Sequence, residues 1–160
     1  MDAVDVDAVP VDAVAVDAVA VGAVELDAAG LNGAGLDAVG VVEALWARVQ
    51  ARDWEGVGAL LAEDAVVEWP ITRERIVGRA NYVAVNREYP QGWSIRVLRI
   101  LGEGDQVVSE VEVPHVEAGL FRAASFWTVR DGLIVRGTEY WTTVGGEPSQ
   151  EWRARLVEQM

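Results

Sequence analysis

Cysteine and lysine are both missing from this chain of 160 residues. Without thiols there is no disulfide framework, thiolate zinc site, iron–sulfur cluster or cysteine nucleophile. The absence of lysine says nothing about chemistry. Histidine occurs once, at His115, and the other residues offer it no recognisable metal-ligand spacing, so no metal site is expected. No uninterrupted apolar run reaches about 18 residues, the length that would cross a bilayer as a helix. The N-terminal residues are acidic and lack the compact apolar stretch of a secretory signal, so a cytoplasmic location without membrane contact is expected. The net charge of −13 repels phosphate backbones, which argues against a nucleic-acid partner. At 51% hydrophobic the chain can bury one core, and it is too short for two.

What is present falls into two unlike parts. Residues 1–40 hold seven Asp, one Glu and no basic residue, whereas all 13 Arg follow. From Asp2 the chain reads DAVDV, DAVPV, DAVAV, DAVAV, GAVEL, DAAGL, NGAGL, DAVGV, eight pentads that end at Val41. A period of five fits neither helix nor strand. It could wind a β-solenoid, but the central inward slot is mostly Ala or Val and no cap is evident. Low complexity favours instead a disordered acidic arm over 1–40.

After the repeat the pattern turns regular. Val41, Val42, Leu45, Trp46 and Val49 form a helical stripe. Asp53 can cap a second helix with Trp54, Val57, Leu60 and Leu61 on its apolar side. Ala65–Trp69 reads as a strand stopped by Pro70. Gly78–Tyr89 reads as a third helix, with Tyr82, Val85 and Tyr89 on one face. Strands then follow over Ser94–Leu101, Gln106–Val113, Leu120–Arg130 and Leu133–Thr143. The last two flank Asp131-Gly132, a two-residue hairpin turn. An α+β domain at 41–145 satisfies this order: a curved antiparallel sheet packed on three helices, then a tail over 146–160.

Pairing Arg130 with Leu133 sets a register for the last hairpin. Unbroken, it puts Arg122, Phe126, Gly137, Glu139 and Trp141 on one face. Phe121, Ser125, Trp127, Arg136 and Tyr140 then take the other. Both faces are apolar enough to be covered, one by helices and one by a partner subunit.

This order, with the stretches ARDWEGVGALLAEDAVVEWP and EDAVVEWPITRERIVGRANYVAVNREYP, resembles the nuclear-transport-factor-2-like superfamily. That superfamily includes the SnoaL-like cyclases, ketosteroid isomerase and limonene-epoxide hydrolase. The resemblance covers about Val41 to Thr143. It implies a cone-shaped α+β fold, a pocket between sheet and helices, and a homodimer formed through the sheet. The isomerase's general base, just before the first strand's proline, falls at Trp69, and its oxyanion-hole tyrosine falls at Leu45. Neither can serve, so the chain is not expected to be a ketosteroid isomerase by the usual residues. Two of the epoxide hydrolase's three water-holding residues fall near Val111 and Val113. The third falls at Glu139, a strand position that SnoaL-like cyclases also keep acidic.

Glu139 is therefore the leading candidate for a proton carrier. Arg122, diagonal to it in the unbroken register, would orient it, although a structural Arg122–Glu139 ion pair explains the same pattern. His115 is a further candidate, because imidazole is the side-chain type suited to proton exchange close to neutral pH; a solvated role at a strand end suits it equally. Glu110 and Glu112 either form a pocket pair or mark the polar face of a strand. Arg73, Arg75 and Arg79 either meet an anion or form a solvated loop. The resemblance puts Trp46, Trp69 and Tyr82 in the pocket wall, and Phe126 and Trp141 join them on the face of Glu139. The reading that results is a cofactor-independent pocket enzyme. It would do acid–base chemistry (cyclisation, isomerisation, dehydration or hydration) on a small apolar molecule. The alternative is a non-catalytic ligand-binding or dimerisation module.

Overall fold

A computed structural model describes residues 35–146 and 150–158. Residues 1–34 lie outside the described residues, and with them most of the pentad repeat. The final pentad, however, belongs to the fold. Helix α1 (Ala38–Ala51) begins inside it, and Asp37 is its N-cap, accepting a 2.7 Å hydrogen bond from the Gly40 N–H. Leu36, Ala38 and Val39 pack against the core. A cap of this kind contributes about 1 kcal/mol. Asp37→Ala is expected to lose about that much, read as a lower urea midpoint at unchanged slope.

The stripe read from the sequence is the buried side of α1: Val41, Val42, Leu45, Trp46 and Val49 are all buried. Arg52 ends the helix at φ 63. Asp53 then caps helix α2 (Trp54–Ala59), its carboxylate accepting from Gly56 N–H at 2.9 Å. Strand β1 (Leu61–Trp69) starts four residues earlier than its apolar core suggests. A short strand, β2 (Glu74–Val77), pairs with it antiparallel, matching Glu68 with Arg75 and Trp69 with Glu74. The sequence reading takes this arginine-rich segment for a loop. Only Ile76 of its four residues is buried, so its alternation is too short to stand out. Helix α3 (Arg79–Glu88) follows Gly78, and Tyr89, extended before Pro90, closes it. Strands β3 (Arg96–Glu103), β4 (Gln106–His115), β5 (Gly119–Arg130) and β6 (Leu133–Thr143) complete the chain's main body.

The six strands form one curled, unclosed sheet in the order β2-β1-β6-β5-β4-β3. It is mixed rather than wholly antiparallel, because β1 runs parallel to β6. The helices fill its concave side, giving the cone-shaped α+β fold. The core centres on Trp127, which meets Trp46 and Tyr82 edge-on at 6.0 and 6.5 Å. The indole N–H groups of Trp127 and Trp46 both donate to Ser109 Oγ at 3.0 Å. Gly137 lies under the Trp127 ring, where a Cβ would come within 2.5 Å of a ring carbon.

The last hairpin departs from the unbroken register. Arg130↔Leu133 and Val129↔Ile134 pair as expected, but Thr128 pairs with Arg136. Val135 is the extra residue of a β-bulge, and a one-residue slip exchanges the faces of everything beyond it. Glu139 consequently pairs with Ser125 and faces the concave side, while Arg122 and Phe126 face outward. The expected Arg122–Glu139 proximity is thus corrected. Arg122 bonds Glu112 at 2.9 Å and reaches Glu110 at 3.7 Å. Those two glutamates also hold Arg96 and Arg99 from β3. They mark the outer face of β4, with Val111 and Val113 buried inward. The Arg122 hydrogen bond holds Glu112 below the usual carboxylate range.

Candidate active site

A cavity of about 340 Å³ opens between the concave sheet and the helices. That volume falls in the range of small-molecule sites. Its wall is built from separate elements: Trp46 on α1, Trp69 at the end of β1, Val85 and Asn86 on α3, Tyr89 and Trp93 in the α3–β3 connection, and Glu139 and Trp141 on β6. Thr72 and the exposed Glu74 supply polar groups from the β1–β2 turn and β2.

Glu139 is 1% exposed. Its Oε2 accepts from Trp69 Nε1–H at 2.8 Å, and its Oε1 accepts from Ser125 Oγ at 3.3 Å. A carboxylate can accept about four hydrogen bonds, so two positions remain for other donors. The Trp141 indole N–H is buried without a partner of good geometry, yet lies near enough to favour the charged carboxylate. Burial outweighs these donors and raises the Glu139 carboxyl from 4.5 to about 7. Beneath the site, burial first and the Glu139 charge second push the Tyr82 phenol well above its usual range, so it stays neutral.

The structure therefore brings together Glu139, Trp46, Trp69 and Trp141. It does not bring the other candidates to them. Tyr82 is a core residue under the cavity, edge-on to Trp127. Phe126 lies on the outer face, half exposed and edge-on to Tyr140, so its placement in the pocket is corrected by the same bulge. Arg122 is engaged outside. His115, at the end of β4, is buried rather than solvated. Its Nδ1 accepts from the Glu117 and Ala118 N–H groups at 3.1 and 3.2 Å, shaping the β4–β5 turn, and its ring abuts Tyr89. Among the described residues no three His, Cys, Asp or Glu side chains gather as metal ligands. No helix there is long and apolar enough to cross a membrane.

Ser125 and Trp93 are among the contributors that escape the sequence reading. Ser125 is revealed only by the shifted register. Trp93 sits in a connection with no periodicity, held by Arg52. That guanidinium stacks 3.3 Å from the Trp93 ring centroid and donates to the Trp93 carbonyl at 2.7 Å. Arg52 sits in the left-handed region, which nothing in its neighbours foretells.

The chain is thus a cone-shaped α+β domain with one buried acid in the wall of an aromatic cavity. Residues 42–137 match the SnoaL-like domain family, and the chain belongs to that family. It is similar to a ketosteroid isomerase candidate from Kribbella flavida DSM 17836, at 34% identity and a TM-score of 0.69, over 77% of this chain and 89% of that one. It is also similar to an LEH-like epoxide hydrolase from M. tuberculosis, at 25% identity and a TM-score of 0.57, over 66% and 82%. A polyketide cyclase candidate from Xanthomonas campestris pv. campestris matches at 25% identity and a TM-score of 0.55, over 66% and 90%. No curated protein matches the chain.

Proposed function

We propose that this protein is an acid–base enzyme acting on a small apolar molecule, with Glu139 as the group that carries the proton. One observation supports the reading above others: a carboxyl 1% exposed, in the wall of an apolar cavity, raised to about 7. Near neutral pH such a group is present in both forms, so it can take a proton from substrate and return it elsewhere. Trp69 and Ser125 fix its two oxygens. The isomerase, hydrolase and cyclase descriptions of similar proteins agree with isomerisation, hydration or cyclisation, each of which moves a proton. Leu45 is fully buried in the core, and the resemblance puts the isomerase's base at Trp69, so the ketosteroid route by its usual residues is not the one proposed. A second copy of the chain is proposed to cover the outer sheet face, where Phe126, Tyr140 and Val108 are exposed.

The test is turnover of a panel of small cyclic enones and epoxides by the native protein and by Glu139→Gln. Loss of turnover in a folded variant supports the reading, and unchanged turnover refutes it. A panel that raises the melting temperature of both proteins without any turnover points to the binding module instead.

A further inference from the structure

The charges and rings that line the cavity restrict its ligand. Its wall includes six aromatic side chains: Trp46, Trp69, Tyr89, Trp93, Phe121 and Trp141. Among the described residues the only ionisable carboxyls there are Glu139, buried, and Glu74, exposed, and no Arg or His side chain lines it. When Glu139 ionises, the described residues give that negative charge hydrogen-bond donors but no counter-charge in the cavity wall. A buried charge left unpaired is costly, and a cation placed beside it relieves that cost. Aromatic rings favour the same sign of charge, because their faces are negative. Trp93 already takes a cation on its ring, the Arg52 guanidinium, which is not part of the cavity wall.

We infer that the ligand of this cavity is a small apolar molecule bearing a positively charged nitrogen, a tertiary or quaternary amine, whose ammonium sits beside Glu139 among the indole rings. The inference deepens the proposed function and rests on its reading of Glu139 as the working group of the cavity. It also narrows the chemistry, because a proton next to a cationic nitrogen is more acidic than one in a hydrocarbon. A purely apolar pocket would select the opposite way. Between an ammonium and its carbon isostere, such a pocket takes the isostere, since the ammonium must shed water.

The experiment compares benzyltrimethylammonium with its uncharged isostere neopentylbenzene, binding the full chain at pH 8, followed by tryptophan fluorescence. The expected result is tighter binding of the ammonium by about tenfold or more. In Glu139→Gln that preference should fall to about threefold or less, with the isostere held as well as before. Equal or tighter binding of neopentylbenzene to the native protein overturns the inference, whatever the variant does. So does a preference that survives Glu139→Gln in full. The two proposals fail separately. If neopentylbenzene wins while Glu139→Gln still abolishes turnover, only the cationic ligand is lost. If the ammonium wins while turnover survives the substitution, only the proton carrier is lost.

Discussion

Glu139→Gln is expected to remove turnover and to make the protein more stable at alkaline pH. General acid–base groups contribute about 10²- to 10⁴-fold to rate, and a loss of that size is expected here. The stability change follows from the same burial. In the unfolded chain Glu139 titrates near 4.5, and in the fold near 7. Between those values the folded protein keeps a proton that the unfolded chain has released. Stability from this group is therefore complete below about pH 4.5, declines as pH rises, and is lost above about pH 7. A shift of this size corresponds to about 3 kcal/mol. Glutamine carries no charge and escapes the decline. Its amide oxygen can accept from Trp69 while its NH₂ donates to Ser125 Oγ, which can accept. Urea titrations at pH 4 and pH 8 should show the variant gaining about 3 kcal/mol on the native protein between the two. Parallel curves for the two proteins would mean that the carboxyl is solvated in the fold.

Trp127→Ala is expected to have the largest effect on folding. The side chain is 1% exposed, meets Trp46 and Tyr82 edge-on, and covers Gly137. Alanine would leave a cavity at the point where α1, α3 and the sheet meet, at a cost of about 3–5 kcal/mol. Ser109 Oγ would keep only the Trp46 donor. The urea midpoint should drop accordingly at unchanged slope. Trp152→Ala is the control, because that ring is 73% exposed, and its change should stay within about 0.5 kcal/mol. A loss below about 1 kcal/mol for Trp127→Ala would place the core elsewhere.

Much of this was legible in the residues. The α1 stripe, the Asp53 cap and the Asp131-Gly132 turn are local patterns, and local physics reproduces them. The face of Glu139 was not legible. The strands around the bulge offer Val129, Ile134 and Val135, any of which suits a buried face, so nothing local chooses the register. The choice is made further along, where Gly137 leaves room for Trp127 and Ser125 meets Glu139. Those are long-range contacts, and alternation alone is blind to them. The same slip separates Arg122 and Phe126 from the acid and brings Ser125 to it. The aromatic wall was half legible. Trp46 and Trp69 sit on regular elements, whereas Trp93 is placed by the Arg52 stack, across 41 residues of sequence.

Direct titration of the Glu139 carboxyl tests the central claim most plainly. With ¹³C-labelled glutamate, carboxyl chemical shifts followed from pH 3 to pH 9 should show one glutamate with a midpoint about 7, missing from the Glu139→Gln spectra. A set of curves in which every glutamate titrates below pH 5 would contradict the account.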